Sequence, residues 1–115
     1  MSQIDKLKSK LVEFRDKRDW KQFHNPKDIA QAISIESAEL LEHFLWVSQE
    51  ASHEVVIKNK EEISDELADI FAYLLSFSDI SGIDLEEALL RKLEKNNKKY
   101  PVEKSKGHAT KYDKL

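Results

Sequence analysis

The chain has 115 residues, 40% hydrophobic and 36% charged, the size of one domain whose core is marginal if it must bury several long helices alone. Its 19 Lys and Arg nearly balance 22 Asp and Glu, for a formal charge of −3, so it lacks the broad basic field that grips a nucleic-acid polymer. It has no cysteine for a disulfide or thiolate site, no apolar core within MSQIDKLKSK and no run near the ~20 apolar residues that span a bilayer, so a soluble cytoplasmic protein is expected.

Only two Gly and two Pro interrupt the sequence, and apolar and polar residues nowhere alternate for a strand's length, so the expected fold is an all-α bundle of about four helices. Ser2 with Asp5 three residues on forms a capping pair, and Ile4, Leu7, Leu11, Val12 and Phe14 follow as the apolar stripe of a first helix ending near Arg18. Asn25 caps a second helix with Pro26 at its first position and Asp28 where a capping acid falls, and Ile29, Ile33, Leu40, Leu41, Phe44 and Leu45 carry it to about Trp46. Residues 48–53 form the connection to a third helix, from about Glu54 or Lys58 through Ile80, with Ile63, Leu67, Ile70, Leu74 and Phe77 on its core side. Gly82 ends it in a left-handed conformation, and Asp84 with Glu87 opens a fourth helix to about Lys99, stopped by Pro101. Residues 1–100 thus read as one helical domain, and 101–115 as a polar tail whose order is expected to come from a partner or a ligand.

Two acidic pairs stand out, Glu36-x-x-Glu39 on the second helix and Glu66-x-x-Asp69 on the third. A three-residue step sets both carboxylates of a pair on one helix face, and each pair borders an apolar stripe, so two such helices side by side gather four anionic ligands. Crowded carboxylates repel and raise one another's pKa, and a cation is the usual remedy. All-oxygen ligands favour Mg2+, with Mn2+ as a substitute, over zinc, and Mg2+ commonly bridges to phosphate oxygens. Glu62 and Asp65 lie close enough in sequence to support the site. His43 falls four residues after Glu39, the wrong step for the Glu-x-x-His of a di-iron bundle. The plain alternative is a set of solvated acids in surface ion pairs on a non-catalytic helical interaction module.

The segment HNPKDIAQAISIESAELLEHFLW, with ELADIFAYLL from Glu66 onward and KLEKNNKKYP after it, resembles the MazG-like all-α nucleoside triphosphate pyrophosphohydrolases. The likeness is greatest to their small deoxycytidine triphosphate pyrophosphatase branch and runs from about residue 16 to residue 115. It implies Mg2+-dependent cleavage between the α and β phosphates to give a monophosphate and pyrophosphate, in the house-cleaning of nucleotide pools. It assigns metal binding and catalysis to Glu36, Glu39, Glu66 and Asp69, phosphate contacts to Lys92 and Asn96, and base contacts to Trp20, His24, Trp46 and Tyr73. It also implies a homotetramer built as a dimer of dimers, which fits the apolar breadth of the second helix. Leu11 stands where that branch carries a histidine, which leaves the base open among dCTP, dUTP, purine and modified deoxynucleotides.

Overall fold

The computed structural model describes all 115 residues and contains six α-helices and no strand. They divide into two compact units, residues 1–83 and 84–115. No helix is long and apolar enough to cross a membrane.

In the first unit, α1 spans Gln3–Lys17, α2 Pro26–Glu42, α3 Ser52–Lys58 and α4 Lys60–Ser81. The expected caps form. The Ser2 hydroxyl accepts from the Asp5 N–H and the Asp5 carboxylate accepts from the Ser2 N–H, which satisfies two donors that a helix start otherwise leaves orphaned. Hydrogen bonding from the Ser2 side chain first, and then from the Ser2 backbone N–H, holds the Asp5 carboxyl below the usual range. Asn25 accepts from the Asp28 N–H with Pro26 at the first helical position. The helix α4 is the spine, with α2 packed along it and α1 and α3 alongside. Ile29 of α2 and Ile63 and Leu75 of α4 form the fully buried apolar core.

Two boundaries differ from those read in the sequence. The helix α2 stops at Glu42, not near Trp46: His43, Phe44 and Leu45 donate to carbonyls three residues back, and Trp46 then takes a left-handed φ of 61°. A bulky side chain in that region ends the α-helical ladder. Of the two starts read for the third helix, Lys58 lies two residues from that of α4, whereas Glu54 falls in the separate short helix α3, which stops before Asn59, where φ −113° and ψ 32° leave the helical range. Asn bonds readily to local backbone and tolerates such a break. At the far end Gly82 has φ 72° and returns its N–H to the Ser78 carbonyl, as its lack of a Cβ allows.

In the second unit, α5 spans Leu85–Lys99, capped by Asp84, and α6 spans Val102–Ser105. Near the C-terminus, Tyr112 sits edge-on to Tyr100 at 6.0 Å between ring centroids, and Lys99 lies 4.8 Å over its face.

Candidate functional site

The packing of α2 against α4 brings the two acidic faces together. One carboxylate oxygen each from Glu36, Glu39 and Glu66 lies within 4.8 Å of the others, and all three residues are half-buried. The Oε2 atoms of Glu36 and Glu66 are buried with no hydrogen-bond partner. Two ionised carboxylates have no donor to offer each other, so a shared proton, a cation or a donor from outside the chain is needed to satisfy them. Burial first, then the close approach of the Glu66 and Glu39 carboxyl groups and the negative charge of Glu39 and Asp69, raises the Glu36 pKa from 4.5 to about 7. A cluster in which one carboxyl still partly holds its proton at neutral pH is chemically fit for a hard divalent cation, whose charge removes the same repulsion.

Asp69, one turn along α4 from Glu66, stands outside the tight group of three. It is more exposed and lines a cavity of about 210 Å³ together with Trp20, His24 and Tyr73. The loop after α1 builds this cavity. Asp19 adopts φ 55°, which Asp tolerates better than most residues. The chain thereby reverses, the Trp20 N–H donates to the Arg15 carbonyl at 3.1 Å, and the Trp20 ring meets Phe14 edge-on at 5.7 Å. A short 3₁₀ turn over Lys21–Phe23 then delivers His24, whose Nδ1 is buried without a partner. Tyr73 follows one turn after Asp69 on α4.

Of the residues singled out in the sequence, Glu36, Glu39 and Glu66 form one group, and Asp69 links it to the aromatic cavity holding Trp20, His24 and Tyr73. Trp46 does not join them: it lies outside the cavity lining and is 100% exposed. Glu62 and Asp65 are exposed on α4. Lys92 and Asn96 lie four residues apart on α5 of the second unit, Lys92 exposed and Asn96 half-buried. Three cavity residues were missed in the sequence, Ala72, Ser76 and the charged Arg15, and Arg15 is 4% exposed. The signal for Arg15 was a cation four residues after Leu11, in register with the apolar stripe.

Residues 31–115 match the MazG-like family. The dCTP pyrophosphatase 1 of Bos taurus is 34% identical over 114 residues, covering 97% of this chain and 68% of that protein. The Homo sapiens protein of the same name is 28% identical over 97% of this chain and 67% of its own length. The crystal structure of a pyrophosphatase from Archaeoglobus fulgidus DSM 4304 is 45% identical, with a TM-score of 0.84 over 88% of this chain and 94% of that one. An acid cluster beside an aromatic cavity on this all-α frame, together with these relatives, leads to one conclusion: the chain belongs to the MazG-like family, as a nucleoside triphosphate pyrophosphohydrolase.

Proposed function

We propose that the chain is a Mg2+-dependent hydrolase of pyrimidine deoxynucleoside triphosphates, dCTP foremost, that cleaves between the α and β phosphates and clears unwanted nucleotides from the pool. The observation that carries this reading is the group of three carboxylates with orphaned oxygens, joined through Asp69 to a cavity sized for a flat ring. The names of the dCTP pyrophosphatase relatives support the choice of base.

Glu36, Glu39, Glu66 and Asp69 are the residues that would hold Mg2+, or Mn2+ in its place. When bound, the cation neutralises phosphate oxygens and stabilises the departing pyrophosphate. The chain's own groups do the rest. Trp20 and Tyr73 line the cavity and supply aromatic rings for a base to stack on, and His24, whose Nδ1 is buried without a partner, lines it too. A carboxylate of the cluster left free of the cation accepts the proton of the attacking water. Lys92 and Asn96, set i and i+4 on α5, are suited to meet phosphate oxygens together, the Lys by charge and the Asn by its amide.

The exposed apolar surface supports association with further copies. Leu41 of α2, Leu45 and Trp46 just after it and Ile57 of α3 are each more than half exposed, apolar surface that another copy is suited to cover. A second copy seated there would bring Trp46 under cover, and a dimer of dimers follows by repeating such closed contacts.

The test is product analysis against the eight common nucleoside triphosphates, with Mg2+ and with chelator. Metal-dependent release of monophosphate and pyrophosphate, fastest on dCTP, is expected, and Glu66→Gln should lower turnover by a factor of ~100 or more while leaving the helical content intact. Release of diphosphate and phosphate, or full activity in Glu66→Gln, would overturn the assignment.

A further inference from the structure

The most deeply buried charge in the molecule belongs to Arg15, the one buried residue of α1. Its Nε donates to Asp16 Oδ1 at 3.0 Å, and its Nη1 donates to Asp79 Oδ2, 64 residues away on α4, at 2.7 Å. Burial works against the charge, but the bonds to Asp16 and Asp79 outweigh it and keep the guanidinium ionised. An ion pair whose only duty was to join α1 to α4 would gain little over an apolar pair of the same volume. The informative fact is what the pair leaves over. A guanidinium has five N–H donors in a fixed plane, Nε and Nη1 are tied down, and Nη2 makes no bond to the protein. The residue lines the cavity that also holds Trp20, His24, Asp69 and Tyr73.

That cavity, about 210 Å³, is smaller than the ~300–1,000 Å³ of pockets that enclose whole drug-sized ligands. It has room for a base and not for a base, sugar and phosphates together. Aromatic walls stack on any base, because every base has a π face. Selection therefore falls to polar groups, and several of those here are ambiguous. The Ser76 hydroxyl donates or accepts, and His24 Nδ1 does either according to tautomer. Arg15 and the Trp20 indole N–H only donate, a carboxylate such as Asp69 only accepts, and of the two donors Arg15 alone carries several N–H groups.

We propose that Arg15 is the specificity-determining residue of the base pocket, its fork held by Asp16 and Asp79 so that its spare donors bond a ring carbonyl of the nucleobase. This rests on the nucleotide reading above and deepens it by stating the chemical class that the site selects. A pyrimidine carrying a 2-oxo group meets the requirement. Adenine has no carbonyl and offers such a donor only its ring nitrogens. One hydrogen bond to a charged group corresponds to a discrimination of about 10- to 100-fold. Because the fork is fixed before the base arrives, the bond costs little ordering on binding.

The experiment compares wild type, Arg15→Leu, Arg15→Lys and Asp79→Asn. It measures kcat/KM for dCTP, dUTP and dATP with Mg2+, and equilibrium binding of the uncharged deoxycytidine and deoxyadenosine by NMR titration without metal. Arg15→Leu should lower kcat/KM for dCTP and dUTP by about 10- to 100-fold, mainly through KM, and change dATP by less than about twofold. Arg15→Lys keeps the charge without the fork and should lose part of the preference. Asp79→Asn frees the fork and should weaken the preference without abolishing hydrolysis. An equal loss on all three triphosphates in Arg15→Lys or Asp79→Asn, or no loss in any variant, overturns the proposal while leaving the hydrolase reading intact. If wild type turns over no triphosphate, the hydrolase reading falls, and the nucleoside titration still decides the role of Arg15. Deoxycytidine binding that needs Arg15 supports it, and binding that ignores Arg15, or no binding at all, refutes it.

Discussion

Replacing Glu36 with Gln tests the cluster through stability, independently of catalysis. Glu36 is raised from 4.5 to about 7 in the fold, so between those values the folded chain binds more protons than the unfolded one. Stability falls as pH climbs through that window and is flat above it. The full shift corresponds to ~3.4 kcal/mol at ~1.36 kcal/mol per unit. Glu36 is only half-buried, and screening by solvent reduces this to ~1–2 kcal/mol. Gln has the same shape and never ionises, so in metal-free protein at pH 8 Glu36→Gln should be the more stable form. At ~2.1 cal/mol/K per residue the gain is a Tm increase of ~4–8 °C for a chain of this length. At pH 5, where the native Glu36 is largely protonated, the two proteins should melt within ~2 °C of each other. Thermal unfolding followed by circular dichroism, with chelator and at one protein concentration, reads both values. Adding Mg2+ at pH 8 should reverse the order, because the cation stabilises only the fold that retains its ligands. A Tm difference independent of pH, or a Gln variant less stable at pH 8 without metal, would refute the account of a repelling cluster.

Gly82→Ala isolates backbone strain, since the added Cβ meets nothing within 4 Å while the φ of 72° is retained. It should lower stability by ~1 kcal/mol, read as a shift in a urea melt at unchanged slope, and an unchanged midpoint would mean the α4 terminus yields without cost. Trp46→Asp should reduce the assembled mass in light scattering at micromolar concentration, because the fully exposed ring is the most accessible apolar group at the end of α2. An unchanged mass would remove Trp46 from any contact between copies.

Much of the fold was legible because helices announce themselves locally. Ser2 with Asp5, Asn25 with Pro26, and Asp84 each cap where the pattern sets them, since capping involves residues only two or three apart. The carboxylate group was legible for the same reason: a three-residue step on each of two helices needs one further fact, that the helices are neighbours, to become a site. Boundaries set by left-handed or broken backbone were not legible. Nothing in the run from Leu40 to Trp46 forbids a continued helix, and the left-handed Trp46 is chosen by the turn as a whole. Asn59 gave a weak hint, as a residue whose side chain competes for backbone bonds. Arg15 shows the deeper limit. In the sequence it reads as one of 19 basic residues, and its periodicity marks it as facing inward without saying toward what. Its meaning depends on Asp79, which reaches it only when α1 lies on α4, and on Trp20, which folds back through the left-handed Asp19. A helical face can thus be read from spacing alone, whereas a pocket made by three segments is fixed by packing. Base selection depends on that packing, so the chemistry of the reaction was readable in the chain before its specificity was.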